Sequence, residues 1–259
     1  MSGSDGAETD DLRAARQAAI LEHAYPEIEA GGFTRVSGTI EFYTRVNALL
    51  PQHGAVLDFG AGRARWYHRH DSYSRRLRSL ETRASRVAGV DVDPAVRENP
   101  ALTDAHVIAP GEPLPFAEET FDLIVADYVF EHLADPGAVI AEFRRVLRPG
   151  GWVCARTPNL LHPIGLAAYL APHRWQRRAA SRLQAREQRD VFPTTYRLNT
   201  RRALQRWFPA PAWRLIVYGW TAEPAYFGES RLLFTLMRML DRTLPEACSA
   251  NLFAFARKR

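Results

Sequence analysis

Lysine, cysteine and long apolar runs are all scarce in this sequence of 259 residues. Lys258 is the one lysine against 33 arginines, and Cys154 and Cys248 are the two cysteines. Two cysteines exclude a disulfide framework and a cysteine zinc cluster, and they predict free thiols in a reducing compartment. No run of about 18 apolar residues is present to span a membrane, and residues 1–11 lack the basic and apolar regions of a secretory signal. These absences predict a cytoplasmic protein.

The charge is distributed unevenly along the chain. The net charge is +5, yet residues 160–214 carry eleven arginines against two acidic residues, and residues 101–143 carry nine acidic residues and no lysine or arginine. The hydrophobic content of 46% is enough for a sizeable core. The arginine excess indicates either an anionic partner or the codon preference of a GC-rich genome.

Short apolar runs alternate with helical patterns along most of the chain. Runs that are apolar throughout and separated by helices are typical of a parallel sheet with helices on both faces. The sequence therefore predicts an α/β fold, a Rossmann-like three-layer sandwich with a mostly parallel seven-stranded sheet and a helical cap inserted after strand 5. The predicted strands are 56–59, 87–91, 105–108, 121–126, 152–155, 214–220 and 252–256. The predicted helices are 12–23, 37–50, 136–147, 160–170, 199–207 and 229–240, after a flexible tail over residues 1–11.

A glycine-rich turn follows the first predicted strand. Gly60 and Gly62 let the backbone turn sharply and approach a ligand closely. Asp58 lies two residues before Gly60, where a carboxylate disfavours a dinucleotide pyrophosphate and favours a positively charged ligand. Asp91 ends the next strand, at the position expected for a ribose-binding acid.

Three further segments carry a family resemblance. They are Leu-Pro-Phe at 114–116 followed by Phe-Asp at 121–122, the segment 127–133 after strand 4, and Arg-Val-Leu-Arg-Pro-Gly-Gly at 145–151. In this order and spacing the chain resembles the class I S-adenosylmethionine (SAM)-dependent methyltransferases, most closely their small-molecule, type 11-like branch. The resemblance covers about residues 55–158, and it implies methyl transfer with SAM as the cofactor and without a metal.

The resemblance implies which residues surround the methionine part of SAM. Gly60, Ala61 and Gly62 would lie against the methionine chain, and Asp58 would act on its ammonium group directly or through water. Asp127 would close this side of the pocket.

The nucleoside end combines a match with a departure from the family. Asp91 would accept both ribose hydroxyls, since a carboxylate offers two acceptor oxygens, and Val92 would pack on adenine. The family usually has an Asp-Ala pair where this chain has Pro110 and Gly111, so adenine contacts would come from the backbone near Gly111 and Glu112. The arginine-rich stretch 63–86 also departs from the family, and we interpret it as an extended first helix or an insertion.

Methyl transfer to a hydroxyl requires removal of a proton, and His132 is the best-placed candidate base because it follows strand 4 at the ligand edge of the sheet. Alternatively, Glu131 and His132 brace the following helix. His162 and Tyr169, beyond strand 5, are further candidates.

We divide the chain into four regions: a tail and helices over 1–50, the SAM-binding Rossmann-like core over 51–158, a helical cap and acceptor region over 159–212, and strands and a helix that complete the sheet over 213–259. The cap combines an apolar helix with Trp175 and arginines, so a weak contact with a membrane surface or a lipid-linked substrate stays open beside a packed cap helix.

The leading function is a SAM-dependent methyltransferase acting on a small-molecule acceptor, most plausibly an oxygen of a glycan, a lipid-linked compound or a natural product. One alternative is a protein that binds or methylates nucleic acid, although no nucleic-acid module or amino-directed Pro-Pro motif is present. Another is a non-catalytic partner protein with the SAM fold. The acceptor, the methylated atom and the oligomeric state stay open.

Overall fold

A seven-stranded sheet forms the centre of the computed structural model, which describes residues 4–68, 72–170, 194–225 and 227–259. Its strands are β1 (Ala55–Phe59), β2 (Arg86–Asp91), β3 (Asp104–Val107), β4 (Phe121–Asp127), β5 (Leu147–Pro158), β6 (Trp213–Trp220) and β7 (Asn251–Lys258). Their order is β3-β2-β1-β4-β5-β7-β6. The first five strands are parallel, and β7 pairs antiparallel with both β5 and β6. The predicted α/β fold with a mostly parallel seven-stranded sheet is confirmed.

Helices cover both faces of this sheet. The described helices are α1 (Ser4–Ala24), α2 (Gly38–Leu49), α3 (Tyr73–Arg78), α4 (Pro136–Val146), α5 (Pro163–Leu170), α6 (Arg201–Trp207) and α7 (Arg231–Thr243). Ser37 caps α2 and Asp135 caps α4, each accepting a hydrogen bond from a backbone N–H of the first turn. None of the helices in the described ranges has the length and hydropathy needed to cross a membrane.

Alternate residues of each strand enter two different cores. Val56 of β1 packs with Phe42 of α2 on one face, whereas its neighbour Leu57 packs with Phe143 of α4 on the other. The period of two in a strand directs successive side chains to opposite faces. Three layers therefore follow directly from the apolar runs of the central strands.

Several local predictions differ from the structure. The tail predicted over residues 1–11 is wrong beyond residue 3, because α1 begins at Ser4. The helix predicted to continue to residue 147 ends at Val146, because Leu147 is already fully buried in β5.

The arginine-rich stretch 63–86 is not an extended helix. It contains a 3₁₀ turn (Arg65–His68), the six-residue α3 and a second 3₁₀ turn (Leu80–Thr82), with residues 69–71 outside the described ranges. Arginines at neighbouring positions of one turn repel one another, which disfavours a long helix here. The cap predicted over 159–212 is described only in part, since residues 171–193 lie outside the described ranges, and it stays a prediction together with the other domain boundaries.

We expect truncation of Phe143 to lower the free energy of unfolding by about 3–5 kcal/mol, because it leaves a cavity in the core that contains Leu57 and Phe143. Phe143 is fully buried, and its ring stands edge-on to Phe59 with centroids 4.9 Å apart. Urea denaturation of Phe143→Ala measures this loss, and Arg144→Ala on the exposed side of α4 is the matched control. A Phe143→Ala midpoint equal to that of the wild type would contradict the packing described here.

Candidate functional site

The glycine-rich turn lies at the carboxyl end of β1. Gly60 and Gly62 have positive φ angles of 76° and 52°, which other residues rarely adopt. The backbone N–H of Gly60 donates to Val90 O at 2.8 Å, so the turn is attached to the end of β2. A Cβ on Gly60 would overlap Val129, whereas a Cβ on Gly62 would meet nothing within 4 Å. Gly62 therefore borders open space where a ligand can approach the backbone, and Ala61 lies between the two glycines.

Asp91 holds the turn in place from the end of β2. Its carboxylate accepts hydrogen bonds from the backbone N–H groups of Gly62 and Asp93, each at 2.8 Å. One N–H binds each oxygen, and a carboxylate oxygen has two lone pairs, so both oxygens retain acceptor capacity. Asn99 is buried and donates to the carbonyl oxygens of Ala61 and Gly62 at 3.1 Å. Asp91 can thus organise the turn and still accept two hydroxyl groups.

The residues expected at the nucleoside end lie beside Asp91. Ile108, just after β3, donates its N–H to Asp91 O at 3.0 Å and so brings the following turn next to β2. In that turn Gly111 has a φ of 83°, and Glu112 closes it because its Oε2 accepts the N–H of Ala109 at 2.8 Å. Val92 is 45% exposed, which leaves an apolar surface next to the acid. Contacts of Val92, Gly111 and Glu112 with adenine stay a prediction.

Asp58 is a carboxyl group without a direct counter-charge among the described residues. Burial and then the negative charge of Asp127 raise the pKa of Asp58 to about 7, although Arg78 lowers it in part. A positively charged ligand group would relieve both effects. The raised pKa thus fits the ammonium group that the family resemblance places here.

Asp127, at the end of β4, is paired with a buried arginine instead. Arg156 lies directly opposite in β5, and its Nε and Nη2 donate to the two carboxylate oxygens of Asp127, the second at 2.9 Å. Burial alone would raise the pKa of Asp127, but the charge and hydrogen bonds of Arg156 outweigh burial and lower it. Asp127 is therefore ionised beside Asp58.

Residues of α2, α3 and the segment after β4 contact this ion pair. Tyr43 of α2 donates to Asp127 Oδ2 at 3.1 Å, and Arg78 of α3 lies 3.6 Å from the same oxygen. The guanidinium of Arg156 lies 4.7 Å from the ring centroid of Tyr128. The Tyr128 hydroxyl donates a hydrogen bond to Asn251 Oδ1 of β7 at 3.1 Å. Tyr128 has a φ of 57°, a conformation that bulky residues adopt only where surrounding contacts impose it.

The candidate base lies in a 3₁₀ turn (Phe130–His132) after β4. His132 is partly exposed, and its Nε2 lies 4.0 Å from Glu131 Oε1. Glu131 is buried: its Oε2 accepts the hydroxyl of Thr157 at 3.0 Å, and its carbonyl oxygen accepts the N–H groups of Thr195 and Tyr196. Glu131 thus braces β5 and the 194–196 segment, while a catalytic role for His132 stays a prediction.

His162 has a different environment from the one expected of a base. It is buried, its Nε2 lies 3.1 Å from Asp241 Oδ1 of α7, and its Nδ1 accepts the N–H of Ile164 at 3.3 Å. These bonds fix His162 between α5 and α7. Tyr169 is exposed and contacts the ring of Tyr196 edge-on. The described residues contain no group of three or more histidine, cysteine or acidic side chains that could hold a metal ion.

Sequence reasoning missed Arg156, Arg78, Tyr43 and Asn99 at this site. A signal existed for Arg156, because it is a charged residue at the end of an apolar strand that the parallel register places opposite Asp127. No comparable signal marked Tyr43 or Arg78, which come from helices outside the recognised motifs.

The glycine turn after β1, the acid Asp91 after β2 and the strand order are together typical of the Rossmann-like methyltransferase fold. A family described as "Methyltransferase domain" matches residues 72–155. An uncharacterised methyltransferase of Mycobacterium marinum is 33% identical over 111 residues, covering 38% of this chain and 44% of that protein. Dimethylglycine N-methyltransferase of Parasynechococcus marenigrum is 31% identical over 130 residues, covering 44% of each chain. A SAM-dependent methyltransferase from Methanosarcina mazei has a similar fold, with a TM-score of 0.52 at 18% identity over 83% of this chain and 96% of that one.

These matches support a class I SAM-dependent methyltransferase domain in this chain, with SAM as its cofactor. The match spans less than half the length of either curated relative. The fold and cofactor class predicted from the motifs are confirmed, while the individual cofactor-binding residues stay predictions.

We expect the affinity for SAM to rise with pH up to about 7 and then level off. In the ligand-free protein Asp58 has a pKa of about 7, so below that pH it must lose a proton before it can pair with the ammonium group. Affinity should change by up to about tenfold per pH unit below 7. Titration calorimetry between pH 5.5 and 8.5 measures the slope.

Asp58→Asn should bind SAM more weakly and without this slope, whereas Glu118→Gln, an exposed charge change before β4, should behave as the wild type. The same pKa shift acts on folding with the opposite sign. Because protonated Asp58 is favoured in the folded state, its contribution to stability falls as the pH rises from 3.8 to about 7. If SAM affinity depends on pH with an equal slope in the wild type and in Asp58→Asn, a group other than Asp58 causes that dependence.

Proposed function

We propose that this protein transfers the methyl group of SAM to an oxygen atom of a small-molecule acceptor, such as a glycan, a lipid-linked compound or a natural product. The observation that carries the proposal is the pair of carboxyl groups beside the glycine turn. Asp127 is neutralised by Arg156, while Asp58 has a raised pKa and no direct counter-charge among the described residues. Such an arrangement suits a ligand with a positive charge.

The chemistry makes limited demands on the protein. SAM would supply an activated methyl group: the acceptor oxygen would bond to the methyl carbon while the carbon–sulfur bond breaks with its electron pair on sulfur. The acceptor proton would pass to a base, for which His132 is the candidate. Gly60, Ala61, Gly62, Asp58 and Asp91 would bind and orient the donor, with Asp127 beside its methionine end. The enzyme then gains rate chiefly by alignment of the reacting atoms and exclusion of water.

Nucleic acid as the substrate is the less supported alternative. The acidic stretch 101–143 supplies β4 and the turns at the ligand edge, and eleven of the arginines lie within residues 160–214. A non-catalytic SAM-fold protein differs from an enzyme in one observable property: it binds SAM and transfers nothing.

A cytoplasmic location and contact with a membrane surface also stay predictions. The described helices offer an apolar surface for such contact, since Leu166 and Leu170 of α5 and Leu232, Leu236 and Met239 of α7 are each more than 45% exposed. The basic stretch that would accompany α5 falls largely within residues 171–193, outside the described ranges.

Incubation with methyl-labelled SAM and separate small-molecule, glycan and lipid extracts of the source organism tests the proposal. We expect label in a small-molecule or lipid-linked product and the formation of S-adenosylhomocysteine. SAM binding without label in any fraction would favour the non-catalytic alternative, and label in nucleic acid would favour the other one.

We expect His132→Ala to lower kcat by about 10²-fold or more without weakening SAM binding, because a general base contributes at least that much to proton removal. Steady-state kinetics on the labelled acceptor and calorimetry with SAM separate the two effects. His23→Ala, on an exposed position of α1, serves as the control. Wild-type turnover in His132→Ala would remove His132 from catalysis and leave it as part of the brace around Glu131.

A further inference from the structure

A cavity of about 380 Å³ lies next to the methionine end of the site. Its walls come from α1, the segment 28–39, the 3₁₀ turn that contains Trp66, and α3. Arg78 lines the cavity and lies 3.6 Å from Asp127 Oδ2, so the cavity adjoins the end of β4. These walls are outside residues 159–212, where the sequence placed the acceptor region. The volume lies within the range of small-molecule sites.

One wall of the cavity presents arginines held by aromatic rings. The guanidinium carbon of Arg75 lies 4.8 Å from the ring centroid of Tyr67, and that of Arg78 lies 4.6 Å from the ring of Trp66 and 5.3 Å from that of Tyr43. Stacking occupies the face of a guanidinium and leaves its in-plane N–H donors available. The Nε of Arg78 is buried and has no hydrogen-bond partner among the described residues.

Acidic residues line the cavity as well. Glu22 and Glu223 line it, and the hydroxyl of Thr34 donates to Glu223 Oε1. Their negative charges disfavour an anion with two negative charges more than an anion with a single charge. In-plane guanidinium donors match the two oxygens of a carboxylate. The cavity therefore favours a molecule with a carboxylate at one end over a phosphate ester.

We infer that this cavity is the acceptor site and that it takes a small molecule bearing one carboxylate, which Arg75 and Arg78 bind. The inference rests on the proposed methyl transfer and names the chemical class of its acceptor. The carboxylate serves as the handle for recognition, and the methyl group goes to a different oxygen of the same molecule. α3 would then position the acceptor, because it carries Arg75 and Arg78 and links the cavity to Asp127.

Arg75→Gln tests the inference, with Arg76→Gln as the matched control. Both changes remove one positive charge from α3, but Arg76 is exposed and does not line the cavity. A small-molecule extract of the source organism is separated on an anion exchanger into retained and unretained fractions. Each fraction is incubated with methyl-labelled SAM and, separately, dialysed against protein saturated with S-adenosylhomocysteine, and the compounds held by the protein are identified by mass spectrometry.

We expect label and captured compounds in the retained fraction, with a carboxylate in the captured compound. Arg75→Gln should raise KM for that acceptor about tenfold or more, since a charge-assisted hydrogen bond is lost, and leave the Kd for SAM unchanged. Arg76→Gln should match the wild type. Label in the unretained fraction, a phosphate ester as the captured compound, or an equal KM in Arg75→Gln would overturn the inference while methyl transfer itself stands. No label in any fraction, with SAM bound, would overturn the proposed function and this inference with it.

Discussion

The buried ion pair between Asp127 and Arg156 is the interaction on which the candidate site depends. It joins the ends of two adjacent parallel strands, and residues of α2, α3 and the segment after β4 contact it. A buried charge without its partner costs several kcal/mol, so the pair and its hydrogen bonds must form together. The strands fix the position of the pair, and the pair in turn fixes where Tyr43, Arg78 and Tyr128 lie.

The same pair sets the electrostatics of the neighbouring strand end. Arg156 keeps Asp127 ionised, and the negative charge of Asp127 raises the pKa of Asp58. Two carboxyl groups on adjacent strands thus have pKa values shifted in opposite directions, and the unpaired one favours a cation. Arg78 lies between this acidic edge and the cavity, which connects the donor site to the proposed acceptor site.

Much of the fold follows from the sequence because its signals are local. Apolar runs such as that of β4 specify strands, Asp135 before Pro136 specifies the start of α4, and the glycine turn with Asp91 predicts where a cofactor would bind. Contacts that depend on the folded chain carry no such signal. Tyr43 reaches Asp127 across 84 positions of sequence, and the arginines of 63–86 separate into stacked and exposed side chains only once α3 is placed. The acceptor region predicted over 159–212 from its position after strand 5 is described only in part and stays a prediction. The cavity lined by Arg75 and Arg78 lies near the N-terminal helices.

Replacement of the whole ion pair tests its role most directly. A buried pair can often be replaced by apolar residues without loss of stability, so the double variant Asp127→Leu with Arg156→Met separates a role in folding from a role in binding. The measurement is the Kd for SAM by calorimetry, beside the urea midpoint of the same sample. If the pair organises the site, we expect a urea midpoint close to that of the wild type and a SAM affinity at least tenfold weaker. A folded double variant with wild-type affinity for SAM would contradict it.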